Sequence, residues 1–138
     1  RIKSDAQIIV ARSAIKTNDE AKAKEAYAKL QKIAKGELAA EALYYDAYFK
    51  NKEGKFEPSN VVVQKIAQDY SGYKYYGAKS LVIMAKNFYG LKDSFQATYI
   101  LESVIENFKE YTDVIEEAQK ELDFIKGEEA KRNSSITN

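Results

Sequence analysis

The sequence predicts an all-α protein of about seven helices, joined as antiparallel pairs by short turns. Two observations carry that expectation. Apolar residues return three to four positions apart along most of the 138 residues, the spacing of one helical face. Four glycines, Gly36, Gly54, Gly72 and Gly90, stand 18 residues apart, each between two such stretches. One helix and one turn fill each interval, so two intervals make a repeat of about 36 residues. Glycine suits these joints because it takes positive φ without strain, the conformation that often ends a helix. Only Gly77 falls inside a predicted helix.

The elements follow in order. Residues 3–16 mark a face with Ile8, Ala11 and Ile15. Residues 19–35 carry the cleanest stripe, Ala23, Tyr27, Leu30 and Ala34, behind a capping box expected from Thr17 and Glu20. Residues 37–51 combine Leu43 and Ala47 with an aromatic ridge of Tyr44, Tyr45, Tyr48 and Phe49. A fourth helix is expected to begin near Pro58, the only proline, which a first turn tolerates because no intrahelical donor is lost. Its face is Val62, Val63, Ile66 and Tyr70, and its β-prone triplet Val61–Val63 is too short to outweigh the helical period. Residues 74–89 give Leu81, Met84, Ala85 and Phe88. Residues 94–108, with Asp93 as cap, give Ala97, Leu101, Val104 and Phe108. Residues 113–126 give Val114, Ala118, Leu122 and Ile125. Beyond them, residues 127–138 are polar and patternless, which predicts a flexible tail after a single domain over residues 1–126.

Composition narrows the function. Lys plus Arg (22) and Asp plus Glu (21) nearly cancel, so nothing in the total charge favours nucleic acid or an anionic membrane as the main partner. Cys and His are both absent, which removes the commonest metal ligands and the commonest general base. No metal and no cofactor are expected. Glu116, Glu117 and Glu121 share one helix but stand at polar positions, where two carboxylates have no reason to differ in pKa. Glycine-rich phosphate loops and nucleophile elbows are absent, so the chain is not expected to be an enzyme. No apolar run approaches a membrane span, and direct membrane insertion is not expected. The chain begins at Arg1 rather than Met and reads as a trimmed piece of something longer.

Superposing the three pairs, about residues 3–35, 37–70 and 74–108, aligns small residues at Ala11, Ala47 and Ala85 in the first helices. In the second helices it aligns Ala23, Ser59 and Ala97, then the larger Tyr27, Val63 and Leu101, then Leu30, Ile66 and Val104. Small residues let helix axes approach, and large ones fill the groove beside them. This pattern resembles the tetratricopeptide repeat. It departs from that repeat where Gln7, Leu43 and Leu81 replace an early aromatic, and where Lys35, Ser71 and Lys109 replace a terminal proline. The successive offsets of 36 and 38 residues are also longer than usual for the family. Longer, degenerate repeats of this kind are similar to those of bacterial envelope proteins, including the lipoprotein subunit of the outer-membrane β-barrel assembly machine. The likeness implies a periplasmic or outer-membrane-associated setting. It also implies a right-handed superhelix of three pairs plus a capping helix.

In that family a peptide or protein partner lies in the concave surface lined by the first helix of each pair. The resemblance therefore points to Asp5, Arg12 and Lys16 in the first pair, and to Glu41, Tyr44, Tyr48 and Asn51 in the second. In the third pair it points to Lys79, Lys86 and Tyr89. Tyrosine offers a large rigid contact with a hydrogen-bonding tip, which suits such a surface. The competing role is filling gaps between helices. Tyr45 and Phe49 are expected to do so, while Tyr44 and Tyr48 stay open between the two roles. Arg12, Asn51, Lys79 and Lys86 are reminiscent of a carboxylate-gripping set, although a solvated charged face is the plainer account. Tyr73, Lys74, Tyr75, Tyr76 and Lys79 interleave aromatics with cations, as a base-stacking surface would. The balanced charge argues against nucleic acid. Tyr75 and Tyr76 are expected to pack the start of the fifth helix, or the alternation fixes the wide turn behind the 38-residue spacing. The remaining alternative is self-association, or packing of the first helix on a preceding part of the chain.

Overall fold

A computed structural model describes residues 2–137 and shows seven helices with no strand among them. They are α1 (Ile2–Lys16), α2 (Glu20–Ile33), α3 (Gly36–Lys52), α4 (Phe56–Asp69), α5 (Lys74–Gly90), α6 (Ser94–Asn107) and α7 (Thr112–Thr137). Arg1 and Asn138, the ends of the expected domain and tail, lie outside the described residues. Each helix packs on the next, and α3 also packs on α5, and α5 on α7. The second helices of the pairs, α2, α4 and α6, make no comparable contact with one another.

The glycine joints serve two different needs. Gly36 and Gly54 take positive φ, 62° and 77°, as a joint requires. Gly90 remains helical as the last residue of α5, and its reason is space. A Cβ there would stand 2.5 Å from the Phe56 ring. After α1 and α5 the left-handed positions fall instead to Asn18 and Lys92.

Helix starts follow local chemistry. Asp93 caps α6 as expected, its Oδ1 accepting from the Gln96 amide at 3.0 Å. The expected Thr17–Glu20 box does not form. Asp19 caps α2 by accepting from the Lys22 amide, while the Thr17 hydroxyl turns back to the Ser13 carbonyl at 3.0 Å. The fourth helix starts two residues before Pro58, which still lies in the first turn.

All twelve residues aligned between the pairs are buried, from Ala11, Ala47 and Ala85 through to Leu30, Ile66 and Val104. In the middle pair, where Ser59 replaces alanine, its hydroxyl donates to the Ala47 carbonyl at 2.7 Å. That bond supplies the partner a buried hydroxyl needs. The core is a chain of overlapping clusters. One joins α1, α2 and α3 around Tyr27 and Leu30, and a second joins α3, α4 and α5 around Leu43, Ile66 and Ile83. A third joins α5, α6 and α7 around Leu101, Val104 and Ile125.

α7 corrects the expected tail. It stays helical to Thr137, although its stripe of Val114, Ala118, Leu122 and Ile125 ends near residue 126. Polar links accompany the extension. Ser94 at the start of α6 donates to Glu129 at 2.9 Å, and Arg132 pairs with Glu129 one turn away. The Arg132–Glu129 ion pair, three residues apart on the helix surface, contributes only about 0.3–0.5 kcal/mol.

A candidate partner-binding face

The residues expected to line a groove stand on α1, α3 and α5, and the structure divides them into two groups. One group is consumed by internal bonds. Glu41 is 3% exposed despite its charge. Its carboxylate accepts from Arg12 through Nε (3.0 Å) and Nη2 (2.6 Å), from the Tyr27 hydroxyl (2.8 Å) and from the Tyr76 hydroxyl (3.0 Å). Those donors come from α1, α2 and α5, so one side chain of α3 ties four helices together. Burial alone would raise the carboxyl pKa, but the bonds from Arg12, Tyr27 and Tyr76 outweigh it and hold Glu41 below its ordinary value. Glu41 is therefore a structural hub and not a contact offered to a partner.

Tyr44 is likewise 3% exposed, so it belongs to the core and not to a groove floor. Burial pushes its hydroxyl pKa well above the usual tyrosine value. Tyr45 stacks on Tyr27 with ring centroids 4.2 Å apart, and Phe49 is buried, so both fill gaps as expected. The Lys79 ammonium stands over three of these rings, 4.8 Å from Tyr44, 5.7 Å from Tyr75 and 5.9 Å from Tyr45. Glu117 of α7 contributes its charge to the same cluster, and its Oε1 is buried without a hydrogen-bond partner. The expectation of a solvent-facing Glu117 is corrected accordingly. Tyr75 and Tyr76 pack as expected, half-buried, with Tyr75 bonded to Asp113 of α7.

Asn51 is also engaged. It donates to Asn87 at 2.9 Å, and the fully buried Asn87 donates to Asn60 at 2.8 Å, a ladder linking α3, α5 and α4. The carboxylate-gripping set is thus not assembled. Arg12 is held by Glu41, Asn51 by Asn87, and Lys79 by tyrosine rings.

The second group remains partly open. Asp5 and Lys16 are exposed on α1, Tyr48 is half-buried on α3, and Lys86 and Tyr89 are half-buried on α5. The Arg12 side chain is 53% exposed beside its ion pair. Tyr89 meets an aromatic that sequence reasoning missed: Phe124 of α7, 51% exposed, with ring centroids 6.0 Å apart. Arg12, Tyr48 and Lys86 follow one another at the repeat offsets of 36 and 38 residues, and Phe124 stands on the next helix of the same row, beside Tyr89. A capping helix is expected to turn a polar face outward, so an exposed aromatic there has no local sequence signature.

None of the described helices is long and apolar enough to cross a membrane. Compared with protein-family models and with curated protein sequences, the chain finds no significant match.

Proposed function

We propose that this chain is a tetratricopeptide-like scaffold that holds a protein or peptide partner on the face formed by α1, α3, α5 and α7, without catalysis. The observation that carries the proposal is the row Arg12, Tyr48, Lys86 and Phe124. Arg12, Tyr48 and Lys86 hold one repeat position of successive first helices, and Phe124 stands on the next helix. Two cationic and two aromatic side chains, all partly exposed, thus share this face. Close packing of α3 on α5 and of α5 on α7, without matching contact among α2, α4 and α6, supports an array curved toward that face. Aromatic anchors with few torsions lose little entropy on binding, and cations beside them favour a partner carrying carboxylates.

The test is retention from a lysate of the source organism, comparing wild type with a Tyr48→Ala/Phe124→Ala double variant. A specific protein held by wild type and lost with a fully helical double variant is the expected result. Equal retention by both proteins counts against this face.

A second reading has its own observation. On α1 and at the end of α2, Ile9, Val10 and Ile33 are 66%, 39% and 42% exposed. Apolar exposure at one end of a repeat array favours self-association or packing of a further repeat there. Sedimentation of wild type beside Ile9→Glu across a concentration series separates the two readings. A mass that never rises with concentration rejects self-association.

A further inference from the structure

A crevice of about 350 Å³ opens between α4 and α6, with α5 as its floor. It is lined by α4, by α5 and by the end of α6 with its following turn, at residues other than those of the partner-binding proposal, on which it does not depend. Val63, Ala67 and Tyr70 form one wall, Phe108 closes the other, and Leu81 and Gly77 lie beneath. Its volume is more than twice the roughly 150 Å³ that lets an apolar cavity take up benzene. At the rim stand Lys74 and Glu110, one cation and one anion, so the opening selects no net charge.

Gly77 is the telling residue. It sits inside α5, in helical conformation, where glycine weakens a helix relative to alanine. Its φ does not demand glycine, and a Cβ built there meets nothing within 4 Å. Neither backbone strain nor internal crowding accounts for it. What glycine does provide at this place is open backbone on the floor of the crevice, the arrangement that lets a ligand approach closely. The Ser80 hydroxyl, which also lines the floor, donates to the Gly77 carbonyl at 2.9 Å. Tyr70 and Phe108 supply aromatic surface on opposite sides.

We propose that this crevice is a binding site for a small uncharged aromatic molecule, seated on Gly77 between Tyr70 and Phe108. The probe is indole, titrated into the isotope-labelled protein while amide resonances are followed. Saturable shifts are expected at Ala67, Gly77, Leu81 and Phe108. Gly77→Leu fills the floor and is expected to weaken binding at least about tenfold while circular dichroism stays helical. Ala67→Phe fills the same space from the α4 wall and carries the reading if leucine at position 77 disturbs the helix. Absence of shifts up to the solubility limit overturns the proposal. So do shifts confined to the Tyr48–Phe124 face, or undiminished affinity in both variants.

Discussion

The Arg12 guanidinium holds the Glu41 carboxylate through two bonds, Nε to Oε2 at 3.0 Å and Nη2 to Oε1 at 2.6 Å, joining helices 29 residues apart in the chain. Removing these donors leaves a buried carboxylate with only Tyr27 and Tyr76. Arg12→Met is expected to lower stability by about 1–3 kcal/mol. The lower part of that range is expected, because Arg12 is half exposed and water replaces part of its role. Urea unfolding at neutral pH measures it, and an unchanged midpoint would show that the pair adds nothing.

Glu41 also sets a pH dependence. Its folded pKa is lowered, so protonation is resisted by the native state more than by the unfolded chain. The stabilisation is complete above the unfolded carboxylate pKa, about 4.3, and disappears as pH falls through the lower folded value. Glu41→Gln lacks this dependence. The stability gap between wild type and Glu41→Gln should therefore narrow on acidification, and a constant gap would refute the assignment.

Five tyrosines govern the alkaline side. Burial raises the pKa of Tyr27, Tyr44, Tyr45, Tyr75 and Tyr76, so each stabilises the fold below the unfolded tyrosine pKa and loses that effect at higher pH. Stability should fall above about pH 10. These five should ionise together with unfolding, so their phenolate absorbance should rise as helical circular dichroism is lost. Complete ionisation of all eleven tyrosines in a still-helical protein is the contrary result.

Ala85 has no exposed surface and faces the α5–α6 crossing with Ala97. Leucine there must push the two axes apart. Ala85→Leu is expected to cost about 1–3 kcal/mol by overpacking. Thermal unfolding checks it, and wild-type stability would show that the small-residue position does not set the approach of the helices.

What was legible in the sequence is whatever depends on neighbours within a turn or two. The stripes of α2 and α6, the Asp93 cap and the small positions at Ala11, Ala47 and Ala85 follow from spacing of 3.6 residues and steric size. The role of Glu41 is not legible because its partners lie 29, 14 and 35 residues away, and periodicity carries no record of which distant donors meet a carboxylate. The same limit hid Asn87, whose polarity at a buried position is satisfied by Asn51 and Asn60 from other helices. The extension of α7 is illegible for the opposite reason. Residues beyond 126 carry no apolar stripe, and polar links such as Glu129–Arg132 leave only a faint signature in composition.

The four-helix tie at Glu41 bears on how the array comes apart. Linear repeats open from their ends, because each unit touches only its neighbours. Here the first helix is fastened, through one carboxylate, to a helix of the third pair. Fraying should therefore be lopsided. In native-state amide exchange, the middle of α1 should open with nearly the same free energy as α3, while α7 beyond residue 126 exchanges first. An α1 that exchanges as readily as the end of α7 would mean that the tie does not couple the helices. With the tie intact, the three pairs lose their independence at the N-terminal end, and the repeat array unfolds there as a single cooperative block.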